Sequence, residues 1–388
     1  MSRRRVIRMM STALAAVLIS CGAAGAADIA AIYPHAVEIN AGLFFRTSDR
    51  TTYVSTGDID AMWLRDSSVQ AMSLLHERDL IRGVIARQER LIAIDPYANA
   101  FRRDYAVAER KFELDSLCYP VRLAQKYVKA TGDHSIYDAH FYAELHVILR
   151  TILVEQHHQE QSRYHSNEHP INERFGLVWS AYRPSDDPQV YNFNIPENMF
   201  AATTLRTMAD VFQNSYHDLA SARKALAAAD QISAAIDKKA IFWSRKHGWI
   251  YAYEIDGFGH AKFMDDANVP SLLSIPLITH EYNRKVFADT RAFVLSPGNP
   301  YFFRGRYARG VGSAHTPPNY VWPMSLIVEY RTAGPRERQR IVQELALSNA
   351  GDGALHESFD VNDPRRFTRP KFGWVNALFQ QTFLSQQM

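Results

Sequence analysis

The sequence predicts a single, mainly α-helical domain of about 360 residues, closed as a toroid of helices around a central shaft. Three observations predict it. Apolar residues recur three and four apart over long stretches, strand-like alternation is confined to one segment, and no Gly/Ser-rich or Pro-rich linker or short-period repeat divides the chain. Such a length exceeds the ~250–300 residues that one ordinary core supports. A toroid resolves this, because each helix packs mainly on its neighbours. The 47% hydrophobic content is ample for that core.

The elements follow in order. Val69, Met72, Ile81, Val84, Leu91 and Ile92 give helical spacing through residues 66–94. Thr131-Gly132-Asp133 ends one helix, and Phe141, Leu145, Ile148 and Ile152 stripe the next. Asp218 is placed to cap a helix whose apolar face is Leu219, Ala222, Leu226, Ala229, Ile232 and Ile236. Pro335 suits a first helical turn ahead of Ile341 and Leu345. The alternating Gly248–Glu254, ending near Asp256-Gly257, is predicted to be a hairpin arm.

Residues 1–27 read as an export signal and residues 28–388 as the domain. Ser2–Arg8 is basic, Met9 to about Ile19 is apolar, and Cys21–Ala27 is small. The apolar run is too short to span a membrane, which takes ~20 residues. Arg3-Arg4 resembles a twin-arginine signal. Leu18-Ile19-Ser20-Cys21 resembles a lipoprotein box with Cys21 as the anchor, and Ala24-Gly25-Ala26 is an ordinary cleavage site. Each route places the domain outside the cytoplasm, in the periplasm or beyond. Removing residues 1–26 removes four arginines and no acid, so the net charge falls from +3 to −1. The domain therefore has no excess charge for nucleic acid or an anionic membrane. Cys118 is then its only cysteine, and CxxC and HExxH are absent, so neither disulfide, metal nor other cofactor is expected.

Four segments carry more polar and aromatic residues than a helical core needs. Thr56–Ser67 contains Trp63, Arg65 and Asp66 at a predicted helix start, with Asp66 as a candidate cap. Arg110–Pro120 carries Glu113 and Asp115, which surface exposure would also explain. Trp179–Phe200 carries Arg183, the adjacent Asp186 and Asp187 between two prolines, and Asn198. Neighbouring carboxylates raise one another's pKa, as a general acid requires, although a plain turn has the same composition. Gly310–Pro323 carries His315, Tyr320 and Trp322; farther on lie Glu357, between His356 and Ser358, and Trp374.

Together these segments resemble glycoside hydrolase family 125, the metal-independent exo-acting α-1,6-mannosidases. The carrying residues are Thr56-Gly57-Asp58-Ile59, Met62–Ser67, Glu113–Pro120, Arg183–Asp187, Ile195–Phe200, Met264–Leu273, Gly312–Pro317 and His356–Phe359, in order along the chain. Ala314 stands where the family pattern has proline. The resemblance implies an (α/α)6 barrel with a loop-built pocket at one end, and hydrolysis of terminal α-mannose with inversion. It places the general acid in Ser185-Asp186-Asp187, at either aspartate, and the general base at Glu357. Two carboxyls are what inverting glycoside hydrolysis needs: one protonates the leaving oxygen and one activates water. Trp63, Tyr320, Trp322 and Trp374 are candidates for stacking on sugar; Arg65, Asp66, Asp115, Arg183, Asn198 and His315 for holding hydroxyls. The expected partners are mannose-containing glycans. The rival readings are an α-glucoside hydrolase on the same barrel, a calcium-dependent α-mannosidase, and a mannose-binding protein without activity.

Overall fold

A computed structural model describes residues 29–384, so the segment read as an export signal, residues 1–27, lies outside the described residues. About half of these residues are helical, in helices α1 (29–41), α2 (Leu64–Met72), α3 (Arg78–Ile94), α4 (Leu114–Thr131), α5 (Ala139–Glu155), α6 (His158–Gln161), α7 (Ile195–Asn214), α8 (Leu219–Lys239), α9 (Ile275–Ile278), α10 (Arg284–Val294), α11 (Pro323–Thr332), α12 (Pro335–Leu347) and α13 (Gly373–Leu384).

The helices sort into two kinds by burial. Every residue of α2 is buried, as are most of α4, α7 and α11. In α3, α5, α8 and α12 burial is confined to a stripe. The buried helices pack on one another: α2 against α4 and α13, α4 against α7, α11 against α13. The striped ones lie against them, α3 on α4, α8 on α7 and α12 on α11. A one-sided stripe is what a helix shows when its other face meets water.

The caps follow the sequence at three places. Gly132 takes φ 68° and its N–H closes α4 on Val128 O, the left-handed ending that glycine permits. Asp218 accepts from Ser221 N at the start of α8, and Pro335 opens α12. The helix expected over 66–94 is instead two. The N–H of Ser73 bonds back to Gln70 O and Ala71 O, residues 73–77 turn, and α3 begins anew at Arg78. Asp66 is not a cap; Trp63 holds that position in extended conformation without a side-chain bond, and Asp66 sits in the first turn.

Strands are short but numerous: among the described residues they form six antiparallel sheets of two or three strands. Gly248–Tyr251 pairs with Ile241–Ser244, forming the hairpin the alternation predicted, but it ends before Ala252; Glu254–Ile255 belongs to another sheet. Three sheets bear on the site because they lead into buried helices. Met62–Trp63 pairs with Ala100–Phe101 just before α2, Phe193–Asn194 with Glu254–Ile255 before α7, and Tyr320–Val321 with Ser358–Asp360 before α11.

Candidate active site

A cavity of about 490 Å³ opens where the leads into α2, α11 and α13 meet the loops at 108–111, 184–186, 315–316, 357 and 368–369. Gly57 is required at its edge. Its φ of 141° is barred to other residues, and a Cβ there would lie 2.0 Å from Lys371 O. The segment can therefore bridge to Phe372 and hold Thr56 and Asp58 against the last helix.

Arg65 is the centre of charge. Its guanidinium is buried in the first turn of α2 and stands 4.8 Å from the Trp374 ring centroid. A buried cation needs counter-charge, and three carboxylates supply it: Glu113 Oε2 at 2.7 Å, Asp115 Oδ2 at 3.5 Å and Asp66 Oδ2 at 3.5 Å. Thr56 Oγ1 donates to Asp66 at 2.7 Å and Ser116 Oγ to Glu113 at 3.0 Å. One positive charge cannot hold so many buried negative ones. Burial drives Asp115 up to about 6, against the pull of Arg65. Glu197, buried next to Asp115, is raised well above the usual glutamate range by the same burial.

Asp186 reaches this cluster from the loop between the prolines. Its φ of 64° is the left-handed conformation, rare outside glycine but tolerated by aspartate. The turn is closed by Asp186 N donating to Arg183 O and Arg183 N donating to Asp187 O, both at 2.9 Å. The result separates the two aspartates. Asp186 lines the cavity, accepts from Asn99 Nδ2 at 3.0 Å and shares a hydrogen bond with Glu113. Asp187 lies outside the lining, accepts from Ser185 Oγ at 2.8 Å and faces His315 Nδ1 at 3.5 Å. The Asp187 hydrogen bond raises the His315 pKa, holding the ring toward its charged form.

The Glu113–Asp186 contact joins two carboxyls and therefore holds a proton. Burial, opposed by Arg65 and reinforced by Asp186, pushes Glu113 well above its ordinary value. Burial also acts to raise Asp186, but the bond from Glu113 and the charges of Arg65, Lys111 and His315 prevail and hold it low. Both are statements about one pair sharing one proton.

Glu357 enters the same cavity from the loop before Ser358–Asp360. Burial raises its pKa; Arg369, with Nη1 3.6 Å away, together with Thr368 and His315, works against that. Arg369 is itself fixed by two bonds to Asp58 Oδ1, at 2.8 and 2.6 Å.

The structure places Trp63, Arg65, Asp66, Asp186, His315, Trp322, Glu357 and Trp374 in the cavity wall. Trp322 is oriented by its Nε1 donating to Thr316 Oγ1 at 3.0 Å. Five other residues singled out in the sequence are not in the wall. Asp187 sits behind His315, and Asp115 behind Arg65. Arg183 is bonded to Glu254 at 2.5 Å, which also accepts from Val190 N and Tyr191 N, so it braces the loop. Asn198 spends its amide on Val178 and Asn194, and Tyr320 is a sheet residue opposite Asp360. Glu113, which surface exposure would also have explained, and Arg369 were given no role in the site, yet each contacts a carboxylate of the cavity. For Glu113 the signal was present: an arginine buried at the start of α2 demands an acid, and Glu113 precedes an apolar helix.

The family model of the metal-independent α-mannosidases, GH125, matches residues 29–384. The chain belongs to glycoside hydrolase family 125. A structure of a Streptococcus pneumoniae family member, in non-productive complex with α-1,6-mannobiose, superposes with a TM-score of 0.90 at 33% identity, covering 99% of this chain and 98% of that one. The Meiotically up-regulated gene 157 protein of Schizosaccharomyces pombe is 35% identical over 86% of this chain and 76% of its own length. A glucoamylase of Saccharomycopsis fibuligera shares only the fold, with a TM-score of 0.59 at 11% identity, covering 86% of this chain and 88% of that one. The GH125 chain is thus a glycoside hydrolase of α-mannosides, and the cavity described above is its candidate active site. Among the described residues, no three His, Cys, Asp or Glu side chains are grouped to hold a metal ion.

Proposed function

We propose that this α-mannosidase removes terminal, non-reducing α-1,6-linked mannose with inversion, using Asp186 as general acid and Glu357 as general base, within an (α/α)6 barrel. The observation that carries the assignment is the split between the adjacent aspartates. Only Asp186 lines the cavity that Glu357 also lines, and only Asp186 is backed by a carboxyl partner. The mannobiose bound by the S. pneumoniae relative supports the linkage.

The chemistry follows from the charges. An acid must hold a proton at neutral pH, and a lone aspartate does not. The Glu113–Asp186 pair does, because losing its last proton would leave two charges side by side. At rest that proton lies on Glu113, which burial raises, while Asp186 is held low; it reaches the leaving oxygen through Asp186, the member facing the cavity. Glu357 has the opposite task. Arg369 and His315 favour its ionised form, so it can take a proton from water attacking the anomeric carbon. Trp63, Trp322 and Trp374 offer apolar faces for the sugar.

Leaving-group dependence tests the acid. Asp186→Ala should lose far more activity on α-1,6-mannobiose than on an aryl mannoside whose leaving group needs no proton. Equal losses on both would remove Asp186 from the role. Proton NMR of the first sugar released tests inversion: the β anomer is expected, and an α anomer would overturn it. The proposal extends to export through residues 1–27. Mature protein should be found outside the cytoplasm, and mass spectrometry of its N-terminus should show either acylated Cys21 or cleavage after Ala26. An intact Met1 on the extracytoplasmic enzyme would refute cleavage.

A further inference from the structure

Arg122, Lys126 and Lys129 on α4 and Arg331 on α11 have no part in the reaction. They line two adjoining cavities of about 310 and 70 Å³ that share Arg122 and Lys126 in their walls, with Lys129 at the larger and Arg331 at the smaller. Among the described residues none of the four forms an ion pair, and no carboxylate acts on Arg122, Lys126 or Arg331. They act on one another instead. Burial, then the charges of Arg122, Arg331 and Lys129, pull the Lys126 ammonium down to about 8.

Arg122 and Lys126 are half-buried while Lys129 and Arg331 are exposed, and a fold keeps the two half-buried cations together, with no acid between them, only with some compensation. The helix dipole compensates two of the four. Lys129 and Arg331 lie in the last turns of α4 and α11, where the C-terminal carbonyls favour positive charge. That effect fades within one turn and does not reach Arg122 or Lys126. Arg122 has a structural bond, to Leu277 O at 2.5 Å, and lies over the Phe200 ring at 5.3 Å. Lys126 has none. Gln125, Thr207 and His280 add polar groups to the larger cavity's wall.

We propose that this basic cavity binds a phosphate-type oxyanion, free or as the headgroup of an anionic lipid. Such a ligand supplies the missing negative charge and accepts from Lys126, Arg331 and the free side of Arg122. The smaller cavity shares Trp374 with the sugar cavity, but the four cations stand away from the reacting carboxyls. Lys126 follows Asp115 by eleven residues on α4, which is about 16 Å along a helix at 1.5 Å per residue. Occupation therefore need not compete with the sugar.

The test uses the mature chain and a Lys126→Ala/Arg331→Ala variant, neither residue being in the sugar cavity. Thermal melts compare sodium phosphate with sodium chloride at equal ionic strength. The wild type should show a saturable, phosphate-specific rise of about 2–4 °C. The variant should melt at or above the wild type in chloride, since repulsion is relieved, and show no phosphate response. Co-sedimentation with phosphatidylcholine vesicles, with and without phosphatidylglycerol, separates the sources. Phosphatidylglycerol-dependent binding lost in the variant assigns a headgroup, and its absence beside a phosphate shift assigns the free ion. Aryl-mannoside turnover should be the same in both proteins, which reports the fold independently. The proposal is overturned if phosphate does no more than chloride and no vesicle binding appears, or if the variant responds as the wild type does.

Discussion

Replacing Glu113 by glutamine tests whether the buried carboxyl pair stores the catalytic proton. The change keeps the shape and removes one charge. In the wild type the pair's last proton is retained because its loss would leave two adjacent negative charges. At about 4 Å and an effective dielectric of ~20, that repulsion is worth about 4 kcal/mol, an upper bound equivalent to roughly three pKa units. Arg65 and Lys111 reduce it, so a shift of about 1–3 units is expected. The glutamine amide also donates to Asp186 and favours its ionised form. Both effects have one sign: the proton is lost at lower pH, and the alkaline limb of kcat/KM for mannobiose should move down by about 1–3 units. Activity on an aryl mannoside with a good leaving group should keep its alkaline limb. Arg65 retains Asp115 and Asp66, so near-ultraviolet dichroism should match the wild type. An unmoved alkaline limb in a folded Glu113→Gln protein would refute the shared-proton reasoning.

Three further outcomes follow. Asp187→Asn removes the bond that raises His315, so it should lower kcat/KM on activated and unactivated mannosides alike, by about 10-fold or more, in contrast to Asp186→Asn. The acid limb should lie above pH 4.5, because burial raises Glu357 and a protonated base cannot activate water; Arg369→Lys should weaken the opposing charge and move that limb higher. Glu144 is buried on α5, raised by burial and by Glu89, with one oxygen unbonded. Its folded pKa exceeds its unfolded one, so stability is greatest below about 4.5 and falls as pH rises through the folded value, a loss Glu89 extends to about 8. Glu144→Leu should therefore stabilise by about 1–3 kcal/mol at pH 8 and by less at pH 5, measured by urea unfolding.

The helices buried along one stripe were legible because one of their faces meets water. The stripes of α5 and α8, the Asp218 cap and Pro335 are local consequences of that asymmetry. The burial of α2 was not. Val69 and Met72 read as the apolar stripe of a helix whose other side is polar, yet all nine residues of α2 are buried. Periodicity reports a boundary between apolar core and solvent, and α2 has no such boundary. Its polar residues pair with buried partners on neighbouring segments instead: Gln88 Nε2 of α3 reaches Ser67 and Ser68 Oγ at 2.9 Å, and Arg65 gathers its acids.

The same blindness let Glu113 pass as surface charge and left open which of the two aspartates is the acid. Asp186 and Asp187 are chemically identical neighbours; the left-handed residue at Asp186 turns one toward Arg65 and leaves the other with Ser185 and His315. Nothing in composition distinguishes them, because the distinction is a backbone angle closed by bonds to Arg183. Arg183 in turn keeps its place only because Glu254, about seventy positions away, accepts from it and from two backbone N–H groups of the loop. Removing that acid without touching the cavity should therefore release the loop: Glu254→Gln is expected to lower kcat for mannobiose by 10-fold or more with little change in the melting temperature. A loss of stability with kcat preserved in the folded fraction would show instead that the Arg183–Glu254 pair holds the fold and not the position of Asp186.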